Sequence, residues 1–305
     1  MVTTPRQNSA VELFDIKNSY YIGNYQQCIK EAQKLKPSTP EVALERDVFL
    51  YRAYLAQKKM RIVLDEINHS SPDELQPLRL LAEYLSATSN QTKLLSALDE
   101  QMEKGHAPSV IANQVAATIY CLEANYESAL RALHQDDDLE SSAITVVIYL
   151  AMDRVDLARK ELKAMQEKDE DATLTQLATA WVNIALGGDK LQDAFYIFQE
   201  LVDKYGVSSQ LLVGQAACQV GLGGGRWEEA DTLLHDALEL DNNDADAAIN
   251  ALLVNHHFNK HTEANRMLTQ LKESSGKHRF VKDVLAKEAE FDRLEAQYSA
   301  ELSVK

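Results

Sequence analysis

The stretch YYIGNYQQCIKEAQKL at residues 20–35 contains a Gly-Asn-Tyr turn followed by an amphipathic segment. After the turn, the apolar positions have the spacing of one helical face: Cys28, Ile29, Ala32 and Leu35. A helix with a single apolar face needs another surface to cover that face. The stretch therefore predicts a helix that packs against a neighbouring helix. If the same pattern recurs along the chain, this helix pair is the unit of a repeat.

The same pattern recurs along the chain. A small or apolar residue at the centre of each copy falls at positions 28, 63, 95, 129, 158, 194, 230 and 264. The intervals average about 34 residues, which is the period of tetratricopeptide repeats. A small central side chain lets the two helices of a unit approach closely. Because one such pair cannot bury its apolar face alone, neighbouring pairs stack into a solenoid.

Composition favours the same fold class. The chain has only 11 Gly and 6 Pro in 305 residues, too few for the many turns of an all-β protein. We predict an all-α fold, a tetratricopeptide-like α-solenoid of about eight helix-turn-helix units in residues 10–275. Residues 276–305 are predicted to form a C-terminal capping helix, because their apolar positions repeat with helical spacing. Residues 1–9 are predicted to be a disordered tail.

Charge limits the classes of partner. There are 31 Lys and Arg against 47 Asp and Glu, a net charge of −16. Such a surface repels phosphate backbones and anionic lipid, so neither nucleic acid nor a membrane is expected as a direct partner. The N-terminal sequence has no apolar stretch typical of a secretory signal. The three cysteines form no CxxC motif, and we expect a reducing, cytoplasmic compartment.

Four motifs suggest chemistry but lack the rest of a site. GLGGGR (221–226) has neither the third glycine of a dinucleotide fingerprint nor the Lys-Ser/Thr of a P-loop. His257 and His261 have metal-ligand spacing, but a predicted turn separates them. The acidic stretches 134–140 and 241–247 lack the ligand pattern of a calcium loop and are interpreted as helix N-caps. We therefore expect no catalytic site, cofactor or metal.

The first helices of the units are expected to line the concave side of the array. A polar column there could bind the backbone of an extended protein segment, while apolar neighbours accept its side chains. The predicted partner-binding residues are Phe14, Asn18, Tyr21, Val48, Arg52, Leu55, Gln114, Thr118, Val147, Leu150, Thr179, Asn183, Leu211 and Gln215. The alternative is that the polar members are merely exposed residues on a helix.

Several stretches resemble a known family in residues that the repeat pattern does not require. ELFDIKNSYYIGNYQQCIKEAQKLKP (12–37) and ERDVFLYRAYLAQKKMRIVLDEI (45–67) closely resemble the epsilon subunits of coatomer, the epsilon-COP family. The resemblance continues in WVNIALGGDKLQDAFYIFQEL (181–201) and RWEEADTLLHDALELDNNDADAAIN (226–250). It is looser through residues 86–110 and in the final helix.

That resemblance implies a non-enzymatic subunit of the COPI vesicle coat. The family acts in Golgi-to-ER retrograde and intra-Golgi traffic, on the cytosolic face of Golgi membranes and COPI vesicles. The family's direct partner is the C-terminal domain of alpha-COP. The repeat array of the family curls around a protruding segment of alpha-COP. Through alpha-COP it joins beta-prime-COP and the rest of coatomer, and an ARF-family GTPase recruits the whole complex.

Two alternatives differ in kind from a coat subunit. A co-chaperone or other cytosolic adaptor would capture a C-terminal carboxylate with several Lys and Arg on the inner helices. The inner column offers Arg52 and few other cations, which argues against that alternative. An enzyme would need a catalytic constellation, and the sequence contains no such pattern.

Overall fold

The computed structural model describes residues 11–68, 70–87, 90–103 and 109–303. These residues form seventeen α-helices, and none of them lies in a strand. The predicted disordered tail at residues 1–9 lies outside the described residues. Contacts divide the chain into two compact units, Met1–Leu211 and Leu212–Lys305.

The helices follow one another in pairs, and each second helix begins within one residue of the position that the repeat predicts. The pairs of the first unit are α1 Phe14–Tyr21 and α2 Tyr25–Lys34, α3 Pro40–Ala56 and α4 Met60–Glu66, α5 Gln76–Ser86 and α6 Gln91–Glu103, α7 Val110–Leu122 and α8 Tyr126–Leu133, α9 Leu139–Ala151 and α10 Val155–Lys168, α11 Thr173–Leu186 and α12 Lys190–Tyr205. Next come α13 Ser209–Leu222 and α14 Trp227–Leu240, α15 Ala245–His257 and α16 His261–Ser274, and finally α17 Arg279–Ser303. The predicted all-α repeat architecture is confirmed.

The small central residue of each pair lies where the two helices cross. Seven of the eight predicted positions are completely buried: Cys28, Val63, Ala129, Ala158, Ala194, Ala230 and Ala264. The third pair differs, because Leu95 is only half-buried and Leu98, one turn later, is buried instead. That shift explains why the third copy matches the repeat weakly in sequence.

The turns inside the pairs share a backbone feature that the sequence does not display. In six pairs the residue two positions before the second helix has a positive φ: Gly23, Lys58, Ala124, Asp153, Gly188 and Asn259. A left-handed backbone costs a non-glycine residue about 1–2 kcal/mol. Four of the six residues are not glycine, so the packing of the two helices must stabilise the turn enough to offset this cost. The turn of a pair therefore cannot be recognised in the sequence by a glycine.

Short polar side chains begin several helices. Asp138 accepts a hydrogen bond from the backbone N–H of Ser141 at 3.0 Å, and Asp244 accepts one from Ala247 at 3.2 Å. Such caps satisfy backbone donors that the first helical turn leaves unpaired. The two acidic stretches are therefore helix N-caps, as the sequence predicts.

In the second unit, the start of α17 packs on the last helix pair. Val281 is completely buried against Leu252, Ala264 and Leu271. A capping helix is expected to make contacts of this kind with the last pair of an array, and the capping role of α17 stays a prediction. The rest of α17, from Leu285 to Tyr298, is exposed.

Gly23 lies in the turn of the first pair, and the side chain of Gln210 packs directly against it. Its φ is 81°, and a Cβ added there would lie 2.5 Å from Oε1 of Gln210. We expect Gly23→Ala to lower the free energy of unfolding by about 2 kcal/mol, because a left-handed alanine is strained and Gln210 must move away. Urea denaturation followed by circular dichroism measures this loss.

Gly188 supplies a matched control for this substitution. It occupies the equivalent turn position with φ 59°, and no atom lies within 4 Å of an added Cβ. Gly188→Ala should therefore cost only about 1 kcal/mol, the backbone strain alone. In a Gln210→Ala background the extra cost of Gly23→Ala should disappear. Equal losses for the two alanine variants would show that the approach of Gln210 is unimportant.

Candidate partner-binding cavity

The predicted partner-binding residues all lie on first helices of pairs, from α1 to α13. Their exposure is uneven. Phe14, Thr118 and Val147 are exposed. Half-buried are Tyr21, Arg52, Leu150, Thr179 and Asn183, whereas Asn18, Val48, Leu55, Gln114, Leu211 and Gln215 are buried. The sequence therefore placed these residues on first helices, as intended, but could not separate exposed positions from buried ones, and their role in binding stays a prediction.

A cavity of about 280 Å³ opens between the first helices of the first four pairs. The described residues that line it are mostly apolar, with a Tyr, an Arg, a Gln and a Thr among them: Tyr20, Arg52, Leu55, Ala56, Leu78, Leu81, Leu85, Ile111, Gln114, Val115, Thr118 and Leu122. Four of these are predicted site residues, Arg52, Leu55, Gln114 and Thr118. The leucines of α5 were missed, because the third copy is the weakest and its inner face could not be aligned with the others.

Polar groups at the cavity already have partners within the chain. The Gln114 side-chain amide donates to Oδ2 of Asp138 at 3.0 Å, and the Thr118 hydroxyl donates to the Gln114 carbonyl oxygen at 2.7 Å. The donors of both side chains are thus used within the chain, and only the exposed Thr118 hydroxyl oxygen keeps acceptor capacity for a ligand. The surface available to a bound segment is therefore chiefly apolar.

Arg52 is part of a polar cluster between helices far apart in sequence. Its guanidinium donates to Oε1 of Glu140, at the start of α9, and the Tyr21 hydroxyl donates to Oε2 of the same carboxylate at 3.2 Å. The Arg52 guanidinium carbon also lies 4.7 Å from the centre of the Tyr20 ring. Burial, and then the charge of Glu140, raise the pKa of Tyr21 well above its usual value, so this phenol stays protonated and donates.

A second set of contacts joins the first pair to the end of the first unit. The Thr173 hydroxyl donates to Oδ1 of Asn18 at 2.7 Å and lies 3.2 Å from the Tyr205 hydroxyl. The ring of Tyr205 is 6.4 Å from that of Phe14, centre to centre. Asn18 therefore holds α1 against α11, and it is buried by the chain itself.

The loop before α13 extends these contacts. The Ser208 hydroxyl donates to the carbonyl oxygen of Ile22, and the Gln210 amide donates to the Tyr25 hydroxyl at 3.0 Å. Within this unit, the first pair and the segment after the sixth pair are thus in direct contact. We call this set, with the Asn18–Thr173 bond, the closure contacts.

Among the residues that the structure describes, the histidines and cysteines show no arrangement that suggests catalysis. His257 ends α15 and stacks on Trp227 with 3.8 Å between ring centres, whereas His261 begins α16. Burial raises the pKa of Cys28 and Cys218 to about 12 and that of Cys121 to about 11, so these thiols stay protonated and unreactive.

The described part of the chain contains neither a cluster of metal ligands nor a membrane-spanning helix. Across the described ranges, no three His, Cys, Asp or Glu side chains are grouped so that they could hold a metal ion. Within the same part of the chain, no helix combines the length and the apolar character needed to cross a bilayer.

Solved structures support the fold. A tetratricopeptide repeat protein from Parabacteroides merdae is similar with a TM-score of 0.55 at 12% identity, over 92% of this chain and 98% of that one. The Cut9–Hcn1 hetero-tetramer of the APC/C contains a chain that is similar with a TM-score of 0.61 at 15% identity, over 94% of this chain and 57% of that one. At such low identities these similarities concern architecture alone.

Sequence comparison identifies the family. The model of the coatomer epsilon subunit family matches residues 9–299. Coatomer subunit epsilon-1 of Arabidopsis thaliana is 37% identical over 282 residues, which cover 92% of this chain and 95% of the plant protein. Coatomer subunit epsilon of Caenorhabditis elegans is 38% identical over 288 residues, or 93% of this chain and 98% of the nematode protein. The chain therefore belongs to the coatomer epsilon subunit family.

Proposed function

We propose that the chain is a non-catalytic scaffold subunit of the COPI coat and binds the C-terminal domain of alpha-COP directly. Its family makes it a component of coatomer. The observation that carries the proposal is the apolar cavity between α1, α3, α5 and α7, the first helices of the first four pairs. Concave, mostly apolar sites of this kind bury the side chains of a bound segment.

The cavity favours an uncharged occupant. Among the described residues that line it, Arg52 is the one cation, and Glu140 already neutralises it. A clamp for a free C-terminal carboxylate needs unpaired cations. The co-chaperone alternative is therefore disfavoured, and we propose that apolar side chains of a protruding alpha-COP segment enter the cavity.

Accessible residues on the same face, four of them from the predicted site together with Leu122, complete this proposal. Thr118 and Leu122 lie at the cavity, and Val147, Leu150 and Asn183 lie on the first helices of the following pairs. We propose that the partner contacts these accessible side chains, whereas the buried Asn18 and Gln114 support the groove from behind. Leu211 and Gln215 are also buried, and we leave them out of the contact surface.

The wider role follows from the same proposal. Held through alpha-COP, the subunit would join beta-prime-COP and the rest of coatomer in the cytoplasm. It would reach the cytosolic face of Golgi membranes and COPI vesicles indirectly, with the whole complex and an ARF-family GTPase, in Golgi-to-ER retrograde and intra-Golgi transport. The net charge of −16 is consistent with recruitment by proteins and not by anionic lipid.

A binding experiment tests the proposal with one substitution at the cavity. Leu122 is 49% exposed there, so Leu122→Glu should leave the fold intact. We expect it to weaken binding of an alpha-COP C-terminal fragment at least about tenfold, because the partner's apolar side chains would bury an unpaired carboxylate. Isothermal titration calorimetry with the purified fragment gives the two dissociation constants.

Leu240→Glu is the matched control, because Leu240 is similarly exposed on α14 and does not line the cavity. It should bind the fragment as the unmodified chain does. If the unmodified chain fails to bind the folded fragment, the alpha-COP assignment is wrong. If both variants bind with unchanged affinity, the partner is correct and the cavity is not its site.

A further inference from the structure

The terminal helix α17 extends well beyond the surface on which it packs. It has 25 residues and is therefore about 37 Å long. Its first turns contact the last helix pair through Phe280 and Val281, and the ammonium of Lys272 lies 2.7 Å from the Glu288 carboxylate. Every residue from Leu285 to Tyr298 is exposed. More than half of the helix therefore has no apolar surface covering it.

The exposed part carries an ordered apolar stripe. Phe291, Leu294 and Tyr298 are 66%, 37% and 60% exposed, and they recur at spacings of three and four residues. Val284, seven positions before Phe291, continues the same face toward the body of the unit. We call these four residues the α17 stripe. Val284, Phe291 and Tyr298 repeat every seven residues, which is the period of a helix that pairs with one other helix. Lys287 lies on the same face, at the position between Val284 and Phe291.

Carboxylates border the stripe on both sides. At 100° per residue, Asp283 and Glu290 lie along one edge of the stripe, and Glu288 and Glu295 lie along the other. Two of these carboxylates have a cation of the chain beside them: Arg293 approaches Glu290 at 3.8 Å from the far side of the helix, and the Lys272 ammonium lies 2.7 Å from Glu288. The positions that set partner choice in paired helices are therefore acidic on both edges.

This charge pattern discriminates between occupants. In a pair of two copies, each acidic edge would lie beside an acidic edge of the other copy, and like charges there oppose association. The net charge of −16 on each chain adds to that repulsion. A partner helix with the opposite pattern would gain both apolar burial and ion pairs.

We propose that the α17 stripe is a docking surface for an amphipathic helix of another protein, with an apolar stripe bordered by Lys and Arg. The residues of this site belong to the second unit, and none of them lines the cavity described above. Apolar contact supplies affinity, and the two acidic edges select basic helices and reject acidic ones.

A designed probe tests the chemistry of the occupant. The probe is a fluorescein-labelled helical peptide of three heptads with Leu at positions a and d and Lys at e and g; a second peptide has Glu in place of each Lys. Fluorescence anisotropy with the full chain should show the Lys peptide bound at least about tenfold more tightly. Asp283→Lys with Glu295→Lys should reduce or reverse that preference, and this pair of substitutions leaves the Lys272–Glu288 contact in place.

Three further substitutions separate stripe recognition from general charge attraction. Phe291→Gln, Leu294→Gln and Tyr298→Gln together keep every charge and a helix-favouring residue at each position, and they should weaken the Lys peptide about tenfold or more. The control Tyr196→Gln with Leu240→Gln removes exposed apolar residues elsewhere and should have no effect. Equal affinity of the stripe variant and the control would overturn the proposal. So would sedimentation of the unmodified chain as a dimer that the stripe variant abolishes.

Discussion

Replacing Arg52 with alanine should lower the free energy of unfolding by about 3 kcal/mol. The side chains of Arg52 and Glu140 are only 16% and 15% exposed, so the substitution leaves a largely buried carboxylate without its cation. Breaking a buried ion pair on one side costs about 3–5 kcal/mol, and the remaining exposure reduces that cost. Urea denaturation monitored by circular dichroism should show an earlier midpoint for the variant.

Two further variants show whether burial of the pair is the cause. Arg154→Ala removes an arginine of a well-exposed pair with Asp156, and it should leave the midpoint nearly unchanged. Arg52→Leu combined with Glu140→Leu removes both charges and should recover most of the stability, because no charge is left buried. An Arg52→Ala variant as stable as Arg154→Ala would mean that the pair does not support the first unit.

Enlarging a central small residue should have an effect of similar size. Ala158 is completely buried in a cluster with Val146, Met165 and Ala178. Ala158→Leu adds three carbon atoms where α9 and α10 cross, and such overpacking costs about 1–3 kcal/mol or more. We expect a loss of about 3 kcal/mol in urea denaturation, because neighbouring helices hold the site from several sides.

The control for this prediction is the same substitution on a helix surface. Ala185 is exposed near the end of α11, so Ala185→Leu should change stability by less than about 0.5 kcal/mol. If the two leucine variants unfold at the same urea concentration, the central position tolerates a large side chain. The requirement for a small residue, from which the repeat was identified, would then be wrong.

Much of the fold could be predicted because it repeats. The small residue at each helix crossing is a local requirement, and it recurs often enough to locate second helices to within one residue. The third pair shows the limit of this method, because its buried residue moved from Leu95 to Leu98 and no single position carries the signal. The inner leucines of α5 were missed for the same reason.

The closure contacts could not be predicted, since each depends on one pair of residues far apart in sequence. Asn18 and Thr173 are ordinary helix residues when either is considered alone, and 155 positions separate them. Glu140 ends a stretch that the sequence correctly identifies as a helix start, yet nothing local indicates that its carboxylate meets Arg52. The period of the sequence predicts contacts between neighbouring repeats, but it does not predict contacts between distant repeats.

Closure also fixes an order of events during synthesis. The Ile22 carbonyl and the Ser208 hydroxyl are 186 positions apart. At about 5–20 residues per second, a ribosome needs about 10–40 s to add that length. The first repeat therefore leaves the ribosome early but completes its packing only after the sixth has followed it. Among the repeats of the first unit, the first repeat therefore waits longest for its full set of neighbours.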